Sequence, residues 1–308
     1  MKFVADAILF HASMLNDRRR TASYLGSIRD VVKPGDVVVD IGTGTGVLAI
    51  AAVHAGARHV YAIEEARIAR VARTLFEANG MTDHITLIRG RSTEVRLPQR
   101  ADVLISELIG NEPLAERVIG ITKDALRRLL KPGARLVPSG LKIFGLPVTI
   151  PDTELSRRTF LPEVVQNWQS WYGIELTRLS EVELFSNLVD FVNPYTARLW
   201  KSLSPPVLLA DVDFKMWRGF GINKTQTVTA NASGQLNGLI VYFELTVGPT
   251  TLVSTHPSLV GIDNHWRSPV YVFINPLSLQ AGDQFDVIYR YRLVSAVSTC
   301  KVRQRRAR

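Results

Sequence analysis

Apolar positions recur at intervals of three and four over residues 1–33, which predicts helix. Lys33-Pro34-Gly35-Asp36 is a turn signal, and Val37-Val38-Val39-Asp40 after it reads as a short buried strand. Three glycines, Gly42, Gly44 and Gly46, precede an apolar helix over 47–55. His59–Glu64 is a second strand, 66–79 a helix ended by Gly80, Ile85–Ile88 a third strand and Ala101–Ser106 a fourth. A further helix is expected over 113–130, with Pro113 at its first position, before Arg135-Leu136-Val137. Strands and helices alternating at this spacing predict an α/β fold with a doubly wound, mostly parallel sheet.

After about residue 139 the rhythm changes to alternation. Phe285, Val287, Tyr289 and Tyr291 share one face of a strand, and Asp286, Arg290 and Arg292 the other. Residues 239–247 and 270–274 read likewise, so an antiparallel β domain with one buried face is expected. Residues 152–206 are mixed and rich in Trp and Pro, and read as an inserted helical arm.

Composition adds limits. The chain has 308 residues, 46% of them apolar and 21% charged, which suits two domains and excludes a largely disordered or fibrous chain. Cys300 is the single cysteine, so no internal disulfide and no Cys-rich zinc module can form. The histidines at 54, 59, 84 and 256 form no ligand cluster, and no metal is expected. No transmembrane segment or signal peptide is evident, and a cytoplasmic protein is expected. The net charge is +9. Residues 301–308 hold five Lys/Arg and no acid, and without them residues 151–308 would be net negative. Nucleic acid is expected only through this basic tail, for which a solvated end is the alternative.

Two clusters carry chemistry. Asp40-Ile41-Gly42-Thr43-Gly44-Thr45-Gly46 leaves a strand and opens a helix, and Glu64 closes the next strand 24 residues after Asp40. Glycines let a ligand approach the backbone, and a strand-end carboxylate can accept both hydroxyls of a ribose. A dinucleotide fingerprint would need glycine at position 47, where Val47 stands. Asp40 would repel a pyrophosphate but suit a sulfonium and an amino group. The second cluster follows the fourth strand, where Glu107, Glu112 and Glu116 fall within ten residues. Two carboxylates there can grip a planar guanidinium, and the bland alternative is an acid at a helix start with a solvated neighbour.

The glycine loop resembles that of class I S-adenosylmethionine-dependent methyltransferases. Ser106-Glu107 through Glu116, with the two glutamates nine positions apart, resembles the double-glutamate loop of protein arginine methyltransferases. Met14-Leu15-Asn16-Asp17 with Arg20-Thr21 and Tyr24, Ala55-Gly56-Ala57-Arg58, Trp168-Gln169-Ser170-Trp171-Tyr172-Gly173 and Asn264-His265-Trp266 resemble further segments of that family. The matches run in order from about residue 10 to 292.

The resemblance implies a Rossmann-like domain over 1–138 and an antiparallel β-barrel domain over 139–308, with an inserted helical dimerisation arm over about 153–205 and a homodimer. It implies S-adenosyl-L-methionine as cofactor and arginine in a protein or peptide as substrate. Glu107 and Glu116 would hold the guanidinium, with Asp17 and His265 as a supporting dyad. His11, Met14 and Arg20 would contact the cofactor, Arg20 through its methionine carboxylate. Asp40, Gly42 and Gly44 would line the methionine end, Glu64 would take the ribose, and Ser92, Thr93 or Glu94 would flank the adenine. Leu108, Ile109 and Val118 replace the family's Trp, Met and frequent Met. Met1 and Ala5 stand near where the family has a pair of tyrosines, so a shortened or missing aromatic lid is expected. A small-molecule guanidine or amine methyltransferase on the same scaffold and an inactive binding module are the alternatives.

Overall fold

Asp17 divides the helical N-terminal stretch into two. In the computed structural model, α1 (Lys2–Asn16) ends there and α2 (Arg18–Val31) begins, because the Asp17 carboxylate caps α2 by accepting from the Arg20 N–H at 3.0 Å. The structure describes residues 2–158, 160–181, 188–219 and 221–305. The expectation about Met1 and the last three tail residues lie outside that range.

β1 (Val37–Ile41), α3 (Val47–His54), β2 (His59–Glu64), α4 (Ala69–Ala78), β3 (Ile85–Arg89), β4 (Ala101–Ser106), α5 (Val118–Arg128) and β5 (Leu130–Val137) follow. The five strands form a parallel sheet in the order β3-β2-β1-β4-β5. The chain winds outward in both directions from β1, so the crevice beyond the carboxyl ends of β1 and β4 is the topological switch point. β1 is buried along its whole length, which suits Val-Val-Val-Asp-Ile at the centre of a covered sheet.

The helix expected from Pro113 starts five residues later, at Val118. Pro113 lies in a turn, and Arg117 before the helix has a left-handed backbone, φ 59°. The antiparallel domain holds this segment out of helical geometry. The Ile109 carbonyl accepts from Trp266 Nε1 at 2.7 Å, and the Leu114 carbonyl from the Tyr291 hydroxyl at 3.1 Å.

The remaining elements are β6 (Gly140–Thr149), α6 (Asp152–Leu155), α7 (Pro162–Tyr172), β7 (Leu188–Val192), α8 (Pro194–Ala197), β8 (Lys201–Ser202), β9 (Val207–Asp213), β10 (Gly221–Thr229), β11 (Gly234–Thr246), β12 (Leu252–Ser254), β13 (Ser268–Leu279), β14 (Gln284–Arg292) and β15 (Val297–Gln304). Their strands form a seven-stranded sheet, β7-β13-β11-β6-β8 with β12 on β11 and β9 on β6, and a three-stranded sheet, β10-β14-β15. Among the described residues these sheets do not close into the expected barrel. β9 and β10 run close together, but no ladder joins them. The pairs made along this half are antiparallel, as the alternation predicts.

One hydrophobic core runs through both halves, from Tyr24 and Val38 to Phe243, Trp266 and Tyr289. A second cluster, with Val192, Ala197 and Trp200, packs the arm against β6 and β13. Phe285, Val287, Tyr289 and Tyr291 face the core as expected. Asp286 departs from its expected solvated face and is 3% exposed. Thr227 and Arg303 bond it at 2.9 Å each, Arg305 lies 3.5 Å away, and the Arg303 contact leads in holding its pKa down. The basic tail therefore begins as strand: residues 301–304 belong to β15.

Candidate active site

A cavity of about 590 Å³ lies at the switch point. That volume is in the range of small-molecule sites, roughly 300–1,000 Å³. Its lining includes His11, Met14, Arg20, Gly42, Gly44, Glu64, Ser92, Thr93, Glu107, Glu116 and His265. Asp17, Asp40 and Glu94 are absent from the lining. Asp17 and Asp40 are buried behind the wall, and Glu94 is exposed.

The glycine loop forms because its backbone demands it. Gly44 has φ +57°, and a Cβ there would come within 2.8 Å of the His11 ring. A Cβ on Gly42, φ +74°, would meet Leu108 at 2.8 Å. The floor is thus pressed between α1 and the double-glutamate loop. Glu64 is fixed by two backbone donors, accepting from Gly44 N–H at 3.0 Å and Ala66 N–H at 2.8 Å. It still faces the cavity and, as a carboxylate, keeps lone pairs for further donors.

Asp40 is 1% exposed. Thr43 donates to its Oδ2 at 2.5 Å, while Oδ1 has no partner. Burial pushes its pKa up to about 7 against the Thr43 hydrogen bond, and the Glu64 charge adds to the rise. A buried carboxyl with an orphan oxygen beside a glycine cradle fits a group bearing positive charge.

At the opposite side of the cavity, Arg20 donates to Glu107 Oε2, forming a buried ion pair. Its guanidinium stands 5.3 Å from the Trp266 ring centroid and 5.9 Å from that of Tyr24. Its Nη1 donates to the Met14 carbonyl at 3.3 Å, and its Nε has no partner. The family resemblance implies Arg20 on a cofactor carboxylate and Glu107 on a substrate; the structure joins the two to each other instead. No spacing signal could have revealed it, since 87 residues separate them.

Glu116 also lines the cavity, although the residue as a whole is exposed. Loss of water around its carboxyl leads in raising its pKa to about 7, and the Glu107 charge adds. The implied Asp17–His265 pair takes a different form. Asp17 Oδ2 accepts from the His265 backbone N–H at 3.0 Å, while the His265 ring Nδ1 lies 2.9 Å from Ser13 Oγ. The reason is capping: Asp17 Oδ1 is spent on α2, and the remaining oxygen faces the amide that brings the His265 loop to the helix start. Burial, followed by the Arg20 charge, lowers the His265 pKa, and burial leads in lowering that of His11, so both rings are neutral near pH 7.

Some residues of the site carry no signal in the sequence. Phe10 packs edge-on against His265 at 4.9 Å between centroids, and Gly90 and Arg91 line the cavity beside Ser92. Glu112, for which a helix start was the bland alternative, is not at one: α5 begins at Val118, and Ser298 and Tyr289 of the antiparallel domain bear on its carboxyl.

A parallel sheet with this glycine loop, strand-end acid and carboxylate pair, joined to an antiparallel domain that seals the crevice, defines a class I methyltransferase architecture. Comparisons agree. The ribosomal protein L11 methyltransferase (PrmA) family matches residues 18–178, and the arginine methyltransferase oligomerization subdomain matches residues 153–293. The chain is 30% identical to probable histone-arginine methyltransferase 1.4 of Arabidopsis thaliana, over 90% of this chain and 53% of that protein. It is 28% identical to protein arginine N-methyltransferase 1 of Saccharomyces cerevisiae, over 90% of this chain and 78% of that one. A solved Trypanosoma brucei PRMT1 enzyme-prozyme heterotetrameric complex with AdoHcy has the same fold, with a TM-score of 0.78 at 24% identity, covering 96% of this chain and 98% of that one. The chain belongs to the protein arginine methyltransferase family. It spans about half the length of the plant histone-arginine relatives it matches.

Proposed function

We propose that this chain transfers a methyl group from S-adenosyl-L-methionine to a guanidinium nitrogen of arginine in a protein or peptide. The observation that carries the reading is the pair of cavity-facing carboxylates, Glu107 and Glu116, beside a glycine cradle with a buried acid. Homology to named arginine methyltransferases supports it.

When bound, S-adenosyl-L-methionine supplies an electrophilic methyl carbon on a sulfonium. Gly42 and Gly44 would line its methionine end, with Asp40 acting on it by charge from behind the wall, and Glu64 would take its ribose and Ser92 or Thr93 its adenine. Glu107 and Glu116 grip the guanidinium from two sides, orient one nitrogen and draw positive charge toward the other two. Arg20 must share Glu107 with an incoming guanidinium, so it balances the clamp's negative charge until the substrate arrives. The neutral His265 ring can accept a proton, and Ser13 orients it.

The arm supports a homodimer. Trp171, Tyr172 and Ile174 at the end of α7 are 66%, 63% and 58% exposed, three large side chains in sequence proximity that a partner could cover. The region matches an oligomerization subdomain. A reducing, cytoplasmic setting suits the single cysteine. Among the described residues, no helix is long and apolar enough to cross a membrane.

The test is transfer of labelled methyl from S-adenosylmethionine to an arginine-rich peptide, a lysine-rich peptide and a pool of small guanidines and amines. Label recovered as methylarginine from the peptide supports the reading. Label found only in small molecules would replace it with the metabolite reading, and no label anywhere, despite bound cofactor, would favour a binding module.

A further inference from the structure

The segment between the two clamp glutamates is fastened to the antiparallel domain. Trp266 Nε1 donates to the Ile109 carbonyl at 2.7 Å, the Arg267 N–H to Asn111 Oδ1 at 2.8 Å, and the Tyr291 hydroxyl to the Leu114 carbonyl at 3.1 Å. Between these anchors lies Glu112. The residue is half-buried overall, but its Oε1 is sealed from solvent and has no hydrogen-bond partner. The Tyr289 hydroxyl is likewise buried without a well-aligned partner and, with Ser298, bears on the Glu112 carboxyl. Ser298 Oγ accepts from the Tyr271 hydroxyl at 3.0 Å, which leaves the Ser298 proton free to point at the carboxyl.

We infer that Glu112 is a positioning residue, whose buried carboxyl pins the 107–116 loop to the Tyr271–Tyr289–Ser298 face of the antiparallel domain and so fixes where Glu107 and Glu116 stand relative to each other. The inference rests on the arginine-clamp reading only for its catalytic consequence; the fastening of the loop is independent of it. The third acid of the cluster therefore has a role distinct from that of the other two. It touches neither cavity nor substrate, and acts by holding the strip of backbone that carries both clamp residues.

The groups facing Glu112 are Tyr271 on β13, Tyr289 and Tyr291 on β14, and Ser298 and Cys300 on β15, with Arg117 on its own segment nearest Tyr291. None of those on the antiparallel domain is a cation. Burial raises the Glu112 pKa to about 7 against the pull of Ser298 and Tyr289. A carboxyl whose pKa is higher when seated than when free favours the seated loop most at low pH. Seating weakens as pH rises from the ordinary glutamate value through about 7 and is level above it.

Hydrogen exchange of the full-length protein, followed by mass spectrometry, reads the loop directly. In wild type, protection of a peptide covering 108–116 is expected to fall by about tenfold per pH unit between pH 5 and 7, after correction for intrinsic exchange. In Glu112→Gln it is expected to stay flat, and in Glu112→Ala to be lower by about tenfold or more at pH 6, while β1 and β2 are unchanged. With an arginine peptide, Glu112→Ala is expected to lose about tenfold to a hundredfold in kcat/KM, and Glu112→Gln to stay within about threefold of wild type. The S-adenosylmethionine Kd of both is expected to stay within about twofold. Wild-type loop protection in Glu112→Ala would overturn the inference; if that variant does not fold, a pH-dependent Glu112→Gln loop would do the same. A loop that loosens in a protein with no activity on arginine peptides would leave the positioning role standing and remove the arginine reading instead.

Discussion

Glu116 has to be ionised to hold a guanidinium, yet loss of water around its carboxyl and the neighbouring Glu107 push its pKa up to about 7. On the proposed reading, the clamp is therefore lost as pH falls. We expect kcat/KM for an arginine peptide to rise by about tenfold per pH unit up to about pH 7 and then level. A bound guanidinium favours the ionised form, so kcat should vary less; steady-state kinetics over pH 5.5–9 checks both. Asp40 makes a parallel demand on the cofactor side. Its pKa of about 7 will fall when a cation binds beside it, so affinity for S-adenosylmethionine is expected to rise with pH to about 7. Calorimetry on wild type and Asp40→Asn should show that rise in the first and a flat, weaker profile in the second. At this scale the sequence named the acids but could not show their company. The Arg20–Glu107 pair, the Asp17 contact to the His265 amide and the burial of Glu112 arise from long-range packing that no local spacing records.

At the scale of elements, the glycine loop ties α1 to the sheet. Gly44→Ala forces a Cβ to 2.8 Å from His11 at a backbone angle that L-residues rarely adopt. We expect cofactor affinity to fall by at least about tenfold, with α1 displaced, while the parallel sheet keeps its protection in hydrogen exchange. Gly46→Ala meets Phe76 at 2.4 Å, where overpacking is expected to cost about 1–3 kcal/mol, measurable by urea unfolding. Most of the parallel half was legible, because buried strands and amphipathic helices leave strong periodic signals. The start of α5 was not. Residues 113–117 are compatible with helix, but the antiparallel domain claims the Leu114 carbonyl and leaves the helix to begin at Val118.

For the whole molecule, the two halves share one core, so the crevice is built from both. The C-terminal strand is locked by Asp286, which binds Thr227 and Arg303 and lies beside Arg305. Asp286→Asn removes a buried charge facing two cations and is expected to destabilise the protein by about 1–3 kcal/mol, read as a lower Tm, with methyl transfer retained below the transition. Replacing Trp171 and Tyr172 by Ser should turn the proposed homodimer into a monomer in light scattering, without changing the fold by circular dichroism. The division into a parallel half and an antiparallel half was plain from the change of hydrophobic period near residue 139. Barrel closure was not, because whether two neighbouring strands form a ladder depends on their backbone alignment, which alternation does not encode.

The clamp is the centre of this account, and single-turnover transfer of labelled methyl to an arginine peptide by Glu107→Gln and Glu116→Gln tests it most directly. Each variant keeps the shape of its side chain and loses the charge. The rate is expected to fall by about a hundredfold or more in each, with the S-adenosylmethionine Kd of Glu116→Gln close to wild type. Transfer at the wild-type rate by either variant would contradict the account.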